Sequence, residues 1–546
     1  MQKIVTGEEM REIDRLTSER YGIPPLLLME NAANAASRVI VERLGGSVEG
    51  KSVLILCGKG NNGGDGAALG RILWQQGADV EVCLFGLVED TKDEARVNFD
   101  ILKNVADDEG FELTQSDLAF EEITSLEEWL DYDSLNFRCD DPDVIVDALV
   151  GTGLTRPLDG VFEQAAAFIN AFCDEDCDSG TLVVSLDVPS GLNADSPDHL
   201  GVNPRAHVTI TFTAPKLANV MPPASNCNGE LFVANIGSPC SLINDTPSQT
   251  FVAESDDAAR WLVQTQFATD SYKNKRGHAL LIAGAADYSG AAVLCGNSAI
   301  RSGVGVVTIA TPESSRASLV ARVAPEVMVR GVAETEGGAI SEDALEEIKN
   351  FSKNVDAIAI GSGLSSSEES TRSLVRRVVE ERTTPVIIDA DGLNSLAPFD
   401  LSGSADLPLI LTPHAGEFQR LISGNGEVDL TDRITAARGF AQGHNVILVL
   451  KGERVLVAEP GGRVVINPTG NSGLGKAGNG DTMTGIIAGF VAQAVCLKTD
   501  IFETVVAAVY VAGLAGDIAA KRFGKRVMTA SDTADALAEC FRGFDG

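Results

Sequence analysis

The stretch SVLILCGKGNNGGDG, from Ser52 to Gly66, joins a short apolar run to a glycine-rich turn and to a helix that begins near Asp65. Four further apolar runs follow in the first half of the chain: DVEVCLF from Asp79, DVIVDAL from Asp143, TLVVSLD from Thr181 and HVTITF from His207. Helical patterns lie before and between these runs. Short strands that alternate with helices predict an α/β fold with a largely parallel sheet covered on both faces.

The second half of the chain repeats this alternation with runs of its own. They are HALLIAG from His278, VGVVTIAT from Val304, DAIAIG from Asp356, PVIIDAD from Pro385, LPLILT from Leu407, NVILVLKG from Asn445 and RVLVAEP from Arg454. A Ser-, Pro- and Asn-rich stretch without apolar periodicity, 237–249, separates the two halves. Because 546 residues exceed what one core usually organises, we expect two domains, residues 1–240 and 252–546. The acid-rich segment from Asp107 to Asp143 is predicted to be a helical excursion or a surface loop.

The composition narrows the classes of function. The net charge is −35, and such a surface repels nucleic acid and anionic membranes, which attract proteins mainly through cationic side chains. The most apolar windows, 485–496 and 505–520, are too short for a membrane span or are broken by Asp517, so they predict buried helices. The acidic N-terminus is unlike a signal peptide, and ten scattered cysteines are typical of reduced thiols. We expect a cytoplasmic protein that binds neither nucleic acid nor membrane.

The first glycine-rich turn satisfies G-x-G-x-x-G through Gly58, Gly60 and Gly63, a spacing typical of dinucleotide sites. The match is weak by itself, because the next strand runs into Gly86 and lacks the acidic residue expected at its end. A glycine turn at the start of a helix nevertheless offers unpaired backbone N–H groups to an anion.

Two more polar loops follow strands of the first half. They are DALVGTGLTRPLDG, from Asp147, and SLDVPSGLNAD, in which Asp187 ends the strand. Since ligands collect at the carboxyl ends of parallel strands, the three loops predict one crevice, although each alone is equally consistent with a structural turn. Asn62, Asp147 and Ser190 offer oxygen atoms with one carboxylate among them, which suits a monovalent cation better than a divalent one.

These motifs, together with MENA from Met29 and TFTAPK from Thr211, resemble the NAD(P)H-hydrate epimerase domain over nearly the whole first half. The resemblance implies a Rossmann-like three-layer sandwich, Asp187 as the catalytic acid/base, and a potassium ion on Asn62, Asp147 and Ser190. It also implies that the hydrated dinucleotide contacts Asn61, Asn62, Gly63, Gly64, Asp65, Gly151, Thr152, Gly153, Leu154, Thr155, Arg156, Pro157 and Asp187.

The strongest motif of the second half is GNSGLGKAGNGDTMTG, from Gly470 to Gly485. Gly478, Asn479 and Gly480 precede Asp481 at the start of a long apolar helix. Backbone N–H groups and the helix dipole then face an anion, with the carboxylate beside it as a base. Aspartate also begins helices simply as a cap, but the small residues around it favour the functional interpretation.

Other strand-end loops of the second half carry polar residues at the same edge. LKGERV presents Lys451 to an anionic ligand, and TPHAGEF contains His414, which is either functional or structural. GSGL, from Gly361, ends another strand. DADGLN, from Asp389, is equally consistent with a magnesium-associated acid pair and with an ordinary turn.

From Arg276 to the last helices the chain resembles the ribokinase-like ADP-dependent NAD(P)H-hydrate dehydratase domain, with Asn479 in AGNGD replacing a small residue of the family pattern. The resemblance implies Mg²⁺, and Asp481 as the base that lets the substrate hydroxyl attack the β-phosphate of ADP. Implied ADP contacts are Lys451, Gly452, Glu453, Arg454, Val455, Asn471, Ser472, Gly473, Leu474, Gly475, Lys476, Ala477, Gly478, Asn479 and Gly480. Implied substrate contacts are Gly363, His414, Ala415, Gly416, Glu417, Phe418, Gln419, Arg420 and Asp481.

Three hypotheses follow. The favoured one is a bifunctional enzyme, expected to be a homo-oligomer, that epimerises hydrated NADH and NADPH (NADHX and NADPHX) and dehydrates the S epimer with ADP, releasing AMP and phosphate. The second is a ribokinase-like vitamin kinase with an accessory N-terminal domain, since the same anion site serves both reactions. The third treats the N-terminal domain as a degenerate binding module, against which Asn62, Asp147, Asp187 and Ser190 argue.

Overall fold

Seven parallel strands form the sheet in the N-terminal part of the computed structural model. The chain begins with a two-residue strand, β1 (Gln2–Lys3), which is not one of these seven. The seven are β2 (Ser52–Cys57), β3 (Asp79–Phe85), β4 (Leu118–Ile123), β5 (Val144–Ala148), β6 (Leu182–Leu186), β7 (Val208–Phe212) and β8 (Glu230–Ala234). The sheet order is β4-β3-β2-β5-β6-β7-β8. The chain therefore changes direction across the sheet between β2 and β5, and the carboxyl ends of those strands border the crevice where such sheets bind ligands.

Helices cover both faces of this sheet. They are α1 (Gly7–Tyr21), α2 (Pro25–Arg43), α3 (Asn61–Gln75), α4 (Asp93–Ala106), α5 (Leu126–Leu135), α6 (Gly160–Ala171), α7 (Leu217–Val220) and α8 (Cys240–Asn244). One apolar cluster packs α2, α3 and α4 on one face, and another packs α5 and α6 on the other. The predicted three-layer α/β sandwich is confirmed.

The segment between Asp107 and Asp143 differs from its prediction. It contains helix α5, as a helical excursion would, but it also adds the edge strand β4. Only Ala119 and Ile123 of that strand are buried, so its sequence lacks the continuous apolar run that revealed the central strands.

The C-terminal part is built on a larger mixed sheet. Its strands are β9 (Thr250–Val252), β10 (His278–Ile282), β11 (Val306–Pro312), β12 (Val327–Val332), β13 (Ala357–Ile360), β14 (Val386–Ile388), β15 (Leu409–Leu411), β16 (Ile447–Leu450), β17 (Val455–Ala458) and β18 (Val464–Asn467). They lie in the order β9-β18-β17-β16-β15-β14-β13-β10-β11-β12. All neighbours are parallel except β17, which is antiparallel to β16 and β18. Every predicted apolar run forms a strand.

Helices pack on this second sheet as well. They are α9 (Ser255–Gln264), α10 (Ser289–Arg301), α11 (Glu313–Val320), α12 (Leu345–Ser352), α13 (Glu369–Glu380), α14 (Ala390–Ser395), α15 (Ala415–Ile422), α16 (Arg433–His444), α17 (Asn479–Leu497), α18 (Ile501–Phe523) and α19 (Ala530–Phe544). Trp261 of α9 stacks on Phe490 of α17 with ring centroids 3.9 Å apart, which fixes α17 in the core.

Two of these helices are longer than the apolar windows from which they were predicted. α17 and α18, with 19 and 23 residues, are long and apolar enough to cross a membrane, so the expectation that their apolar windows are too short was wrong. Within the protein, 67% and 72% of the most apolar window of each is buried. This burial agrees with the prediction of core helices.

The structure describes residues 1–107, 116–135, 142–173, 180–423 and 430–544, without side chains for 132–135. The chain divides into two compact units, Gln2–Ser248 and Gln249–Gly546, the second of which includes Met1. The stretch predicted to be the junction contains α8, whose Leu242 packs with Met10 and Ile13 of α1 in the first unit.

Candidate active sites

A cavity of about 570 Å³ opens in the first unit at the carboxyl ends of the strands. It brings together residues from all three predicted loops: Asn61, Asn62, Asp65, Gly151, Thr152, Gly153 and Asp187. The crevice predicted from the sequence is therefore present in the structure.

The other predicted substrate contacts do not line this cavity. Gly63 and Gly64 serve the backbone: a side chain at Gly63 would place its Cβ 1.7 Å from the carbonyl oxygen of Gly58, and one at Gly64 would lie 2.8 Å from the Cα of Ala95. Glycine at position 63 lets the first turn of α3 lie against the loop after β2, and glycine at position 64 lets α3 pack closely on α4. The remaining residues outside the lining are Leu154, Thr155, Arg156 and Pro157.

Asp187 is held by a buried lysine that the sequence analysis did not identify. Lys216 lies fully inside the protein, and its Nζ donates to Asp187 Oδ1 at 2.5 Å, to Thr211 Oγ1 at 3.0 Å and to the carbonyl of Phe212 at 3.1 Å. Asp187 itself adopts a left-handed backbone conformation, with φ of 66°. Such strain and a dedicated cation are typical of a functional carboxylate. The sequence signal was the TFTAPK motif, which overlaps the end of a buried strand and has Lys216 as its last residue.

Asp147 forms the centre of a second buried cluster. Its carboxylate accepts hydrogen bonds from Ser190 N at 2.9 Å, Ser190 Oγ at 2.5 Å, Ser185 Oγ at 3.0 Å and Leu149 N at 3.3 Å. Burial raises the pKa of Asp147, and these hydrogen bonds oppose the rise. Asn62 is 8% exposed, and both polar atoms of its amide lack a hydrogen-bond partner within the described residues. An unpaired buried amide is costly unless a ligand satisfies it.

Two further carboxyl groups reach the same cavity. Asp14, from α1, was not predicted, and Asp65 lies in the first turns of α3. Burial raises the pKa of Asp14 to about 6, with the negative charge of Asp187 adding to the effect and Lys216 opposing it. Burial and the charges of Asp187 and Asp14 raise the pKa of Asp65 well above its usual range. The N-terminal site is therefore rich in carboxyl groups and has one buried ammonium.

The second unit positions Asp481 in the first turn of α17, as predicted. Gly478 precedes the helix with φ of 92°, a left-handed conformation that favours glycine. The first N–H groups of the helix have no partners within it and point out of its N-terminus. Burial and the nearby Asp389 raise the pKa of Asp481 to about 6, which suits a base that acts near neutral pH.

Asp389, the first residue of the DADG segment, is held by protein donors in the buried interior. It is 1% exposed and accepts hydrogen bonds from Lys451 Nζ at 2.8 Å, Thr412 Oγ1 at 2.8 Å and Thr484 Oγ1 at 2.7 Å. Burial would raise its pKa, but the Lys451 ammonium and the hydrogen bonds outweigh burial and lower it. Asp391 accepts from the N–H of Ser365 at 2.9 Å. Both carboxylates are thus occupied by protein donors.

The cations of the predicted ADP loops are also occupied. Lys451 lies near the start of α17: a Cβ built on Gly480 would be 3.5 Å from its Nζ. The ammonium of Lys451 forms an ion pair with Asp389. Arg454 donates to the carbonyl of Pro468 at 2.5 Å, and Lys476 donates to that of Met528 at 2.8 Å. These contacts stabilise the loops, and the backbone N–H groups at the start of α17 are further donors for an anion.

The other loop residues form the frame of the same site. Val455 begins β17, and Gly452 packs against Arg433. The loop from Asn471 to Lys476 starts as a short 3₁₀ turn and includes Ser472, Gly473, Leu474 and Gly475; Glu453 and Ala477 lie in the two loops.

Asp517 anchors the glycine-rich loop. Its Oδ1 accepts from Asn471 Nδ2 at 2.8 Å, and its Oδ2 accepts from the N–H of Gly470 at 2.9 Å. In the sequence this aspartate was recognised only as an interruption of an apolar window. In the structure it connects α18 to the loop that precedes Asp481.

The unusual Asn479 faces away from the proposed anion site. It is 9% exposed, and its Oδ1 accepts from Thr533 Oγ1 of α19 at 3.2 Å, while its Nδ2 donates to the carbonyl of Lys476 at 3.4 Å. Its side chain therefore occupies the packing between α17 and α19, and the backbone turn at Gly478 is preserved.

His414 caps α15. Its Nδ1 accepts from the N–H of Gly416 at 3.0 Å, and Glu417 Oε2 accepts from the N–H of His414 at 2.8 Å, so the pair forms a reciprocal cap. The helix that follows contains Ala415, Gly416, Glu417, Phe418, Gln419 and Arg420, with Glu417 and Phe418 buried. Gly363 has φ of 63° and packs against Tyr288.

Comparisons with known proteins cover both units. Residues 26–218 match the family described as "YjeF-related protein N-terminus", and residues 279–539 match the family described as "NAD(P)H-hydrate dehydratase". A bifunctional NAD(P)H-hydrate repair enzyme of Moorella thermoacetica is 36% identical over 99% of this chain and 97% of its own length. The chain belongs to the bifunctional NAD(P)H-hydrate repair enzyme family.

Another member of the repair enzyme family, from Thermofilum pendens, is 35% identical over 99% of this chain and 96% of its own length. Among solved structures, an ADP/ATP-dependent NAD(P)H-hydrate dehydratase of Bacillus subtilis, co-crystallised with ATP and Mg²⁺, is 32% identical. It covers 55% of this chain and all of its own chain, with a TM-score of 0.46. Because relatives align over both units, the vitamin-kinase alternative is not favoured.

Proposed function

We propose that this protein repairs hydrated NADH and NADPH in two steps. Residues 1–240 interconvert the R and S epimers, and residues 252–546 dehydrate the S epimer with ADP, which is converted to AMP and phosphate. The observation that carries this proposal is that each unit holds its own poised carboxylate, Asp187 beside the buried Lys216 and Asp481 at a glycine-rich helix start. Two separate sites suit two consecutive reactions of one substrate.

In the first unit, Asp187 acts as the acid/base at the hydrated ring carbon. Lys216 holds its carboxylate in place through a short ion pair between Nζ and Oδ1. The dinucleotide enters the cavity over Asn61, Asp65 and Gly151. The polar turn at the start of α3 offers N–H groups to its phosphates.

A potassium ion fits the buried cluster below this cavity. Asp147 is a buried carboxylate that accepts hydrogen bonds from uncharged groups of Leu149, Ser185 and Ser190, and Asn62 has an amide oxygen without a partner among the described residues. Ser190 connects these two groups. Its Oγ donates to Asp147 and accepts from the N–H of Val150, and the residue after Val150, Gly151, packs against Asn62. A monovalent cation held by Asn62, Asp147 and Ser190 would neutralise the carboxylate and satisfy the amide oxygen.

In the second unit, Asp481 removes the proton from the substrate hydroxyl, whose oxygen then attacks the β-phosphate of ADP. AMP leaves as this bond forms. Phosphate then leaves from the resulting ester far more readily than hydroxide would, and the neighbouring ring carbon loses a proton, which restores the double bond of the reduced nicotinamide. The backbone around Gly478 and Gly480 holds the phosphate. Within the described residues no three His, Cys, Asp or Glu side chains converge on a metal site, so Mg²⁺ would be bound mainly by the nucleotide phosphates, whose charge it neutralises.

We further propose a setting for these reactions. The ligands are NADHX, NADPHX and ADP, and the strongly acidic surface, with a net charge of −35, disfavours nucleic acid and anionic membranes. The buried thiols of Cys57, Cys295 and Cys540 suit the reducing cytoplasm. Exposed Leu26 and Leu27 at the start of α2 offer an apolar contact for a homo-oligomer.

The test uses the full chain, a mixture of both hydrate epimers, ADP, Mg²⁺ and K⁺, and follows the return of the absorbance of the reduced nicotinamide. We expect complete recovery. Recovery that stops at the share of the S epimer contradicts the epimerase and favours a degenerate N-terminal module. No recovery contradicts the dehydratase.

A further inference from the structure

Three carboxyl groups share the N-terminal cavity with a single buried ammonium. Asp14, Asp65 and Asp187 all line it, and Lys216 is the cation enclosed among them. Lys216 is committed to Asp187, at 2.5 Å. Two more ionised carboxylates in the same poorly solvated space would repel each other and Asp187, so the site favours protons on Asp14 and Asp65.

Asp14 has the features of a group that gives and takes a proton. Its Oδ1 is buried and has no hydrogen-bond partner within the described residues, which leaves it available to a ligand in the cavity. Burial raises its pKa to about 6, close enough to neutrality for both forms to be populated. The pKa of Asp65 is raised much further, so that group keeps its proton and serves as a hydrogen-bond donor.

An independent observation shows that a polar ligand belongs in this cavity. Asn62, 8% exposed, lines the same space, and its buried Nδ2 lacks a hydrogen-bond acceptor among the described residues, which a cation on its Oδ1 would not supply. The charged and titratable groups that share the lining with Asp14 are Arg11, Lys59, Asp65, Glu94, Asp187 and Lys216. Lys59 forms an ion pair with Asp90 at the protein surface. Among the lining residues, Lys216 is therefore the lysine whose ammonium is buried with the three carboxyl groups.

We propose that Asp14 is a second catalytic residue of epimerisation, the acid that acts together with the base Asp187. This role rests on the epimerase activity proposed above. Asp187 takes the proton of the hydroxyl on the hydrated carbon, so that a C=O bond forms and the bond from that carbon to the ring nitrogen breaks. The nitrogen takes the proton of Asp14 and becomes a secondary amine, which leaves Asp14 ionised.

Rotation about the adjoining carbon–carbon bond then presents the other face of the carbonyl to the nitrogen. As the nitrogen attacks, its proton returns to Asp14, and the oxygen recovers the proton held by Asp187. The ring closes as the opposite epimer with every proton restored. No oxidant, reductant or co-substrate is consumed, which agrees with an isomerisation.

The experiment measures interconversion of the separated epimers without ADP, as a function of pH, in the parent, Asp14→Asn and Glu12→Gln. Glu12 lies on the same helix, exposed and paired with Arg15, so it is the matched carboxyl-to-amide control. We expect Asp14→Asn to lower kcat at least about 100-fold, the usual scale for losing an acid–base group. The parent should also lose rate as the pH rises and Asp14 ionises, and this alkaline decline should vanish in Asp14→Asn.

Dehydration of the pure S epimer with ADP and the thermal unfolding temperature report folding of each variant. Asp14→Glu keeps an acid and should retain the alkaline decline at a reduced rate, so it tests the role if Asp14→Asn does not fold. An Asp14→Asn protein that epimerises within about twofold of the parent, or an Asp14→Glu protein without the decline, overturns the role of Asp14. A parent that does not interconvert the epimers overturns the proposed epimerase itself.

Discussion

The buried ammonium of Lys216 lies 2.5 Å from Asp187 Oδ1, and the lysine side chain is 1% exposed while that of the aspartate is 14% exposed. Asp187 thus presents one edge to the cavity while its other edge is fixed in the interior. A carboxylate in this setting is oriented without being saturated by the protein. Burial raises the pKa of the neighbouring Asp14 and Asp65, the negative charge of Asp187 adds to that rise, and Lys216 opposes it.

Replacing Lys216 with Met should therefore damage both stability and epimerisation. Breaking a buried pair leaves an uncompensated charge and typically costs about 3–5 kcal/mol. We expect urea unfolding to show a loss of this size and the epimerisation rate to fall at least about 100-fold, while dehydration of pure S epimer persists.

Lys51→Met is the matched control, because Lys51 forms a similar pair with Asp143 at 2.8 Å in the same unit but on the surface, with side chains 40% and 35% exposed. An exposed pair contributes about 0–1 kcal/mol. Equal stability losses in the two variants would show that Lys216 is not an internal counter-charge.

Asp481→Asn should abolish dehydration and leave epimerisation intact. Because a base acts in its ionised form, dehydration by the parent should fall as the pH drops through about 6, to which burial and Asp389 raise the pKa of Asp481. The raised pKa means that ionisation opposes folding as the pH rises from about 4 to about 6. At pH 7 the variant should therefore be at least as stable as the parent.

The control is Asp535→Asn, an exposed aspartate paired with Arg301 on the surface of the same unit. Dehydration rates from pH 5 to 8 and urea unfolding check both parts of the prediction. Residual dehydration in Asp481→Asn would show that another group is the base.

The fold was largely predictable because its central strands are buried on both faces. β2 and β5 are continuous apolar runs, and such runs between helical patterns specify parallel sheets. Several strands that were not predicted are more exposed: in β12 only Val327 and Val332 are buried, and β8 has no buried residue. β18 is fully buried but only four residues long. Their positions follow from pairing with neighbours, which a single sequence does not reveal.

The loops that form the two sites were predictable from the sequence, but the buried charged residues of the N-terminal site were not. Glycine turns after strands revealed where Asn62, Asp187 and Asp481 lie. Lys216 and Asp14 were missed because a lysine after a strand, or an aspartate on an amphipathic helix, is usually solvated. Only tertiary packing buries these two residues beside Asp187.

Potassium should stabilise the first unit through Asn62. An ion at ten times its Kd adds about 1.4 kcal/mol to a fold that binds it. We expect a higher unfolding temperature in KCl than in choline chloride at equal ionic strength, and Asn62→Ala should abolish this difference. Asn61→Ala changes an exposed neighbour and should retain it. A potassium effect that survives in Asn62→Ala would move the ion to another site.

Asp517→Ala should weaken the use of ADP without touching the first unit. The carboxylate accepts hydrogen bonds from Gly470 N–H and Asn471 Nδ2, at 2.9 and 2.8 Å, and so fixes the loop that leads to the anion site at Gly478. Hydrogen bonds to charged groups contribute about 1.5–3 kcal/mol each. A loop that lacks these hydrogen bonds is less ordered, which should raise the KM for ADP at least about tenfold, corresponding to about 1.4 kcal/mol.

Glu503→Ala provides the comparison, because Glu503 lies on the same helix α18 and pairs with Arg463 at 2.9 Å, near the opposite end from the loop. Both variants lose a carboxylate and a partner, so a general loss of stability should affect them alike in urea. Only a variant that disorders the nucleotide loop should raise the KM for ADP while epimerisation continues at the parental rate. If the two variants had the same KM for ADP, the bond between Asp517 and Asn471 would be a packing contact, and the phosphate would be held by the turn at Gly478 without support from α18.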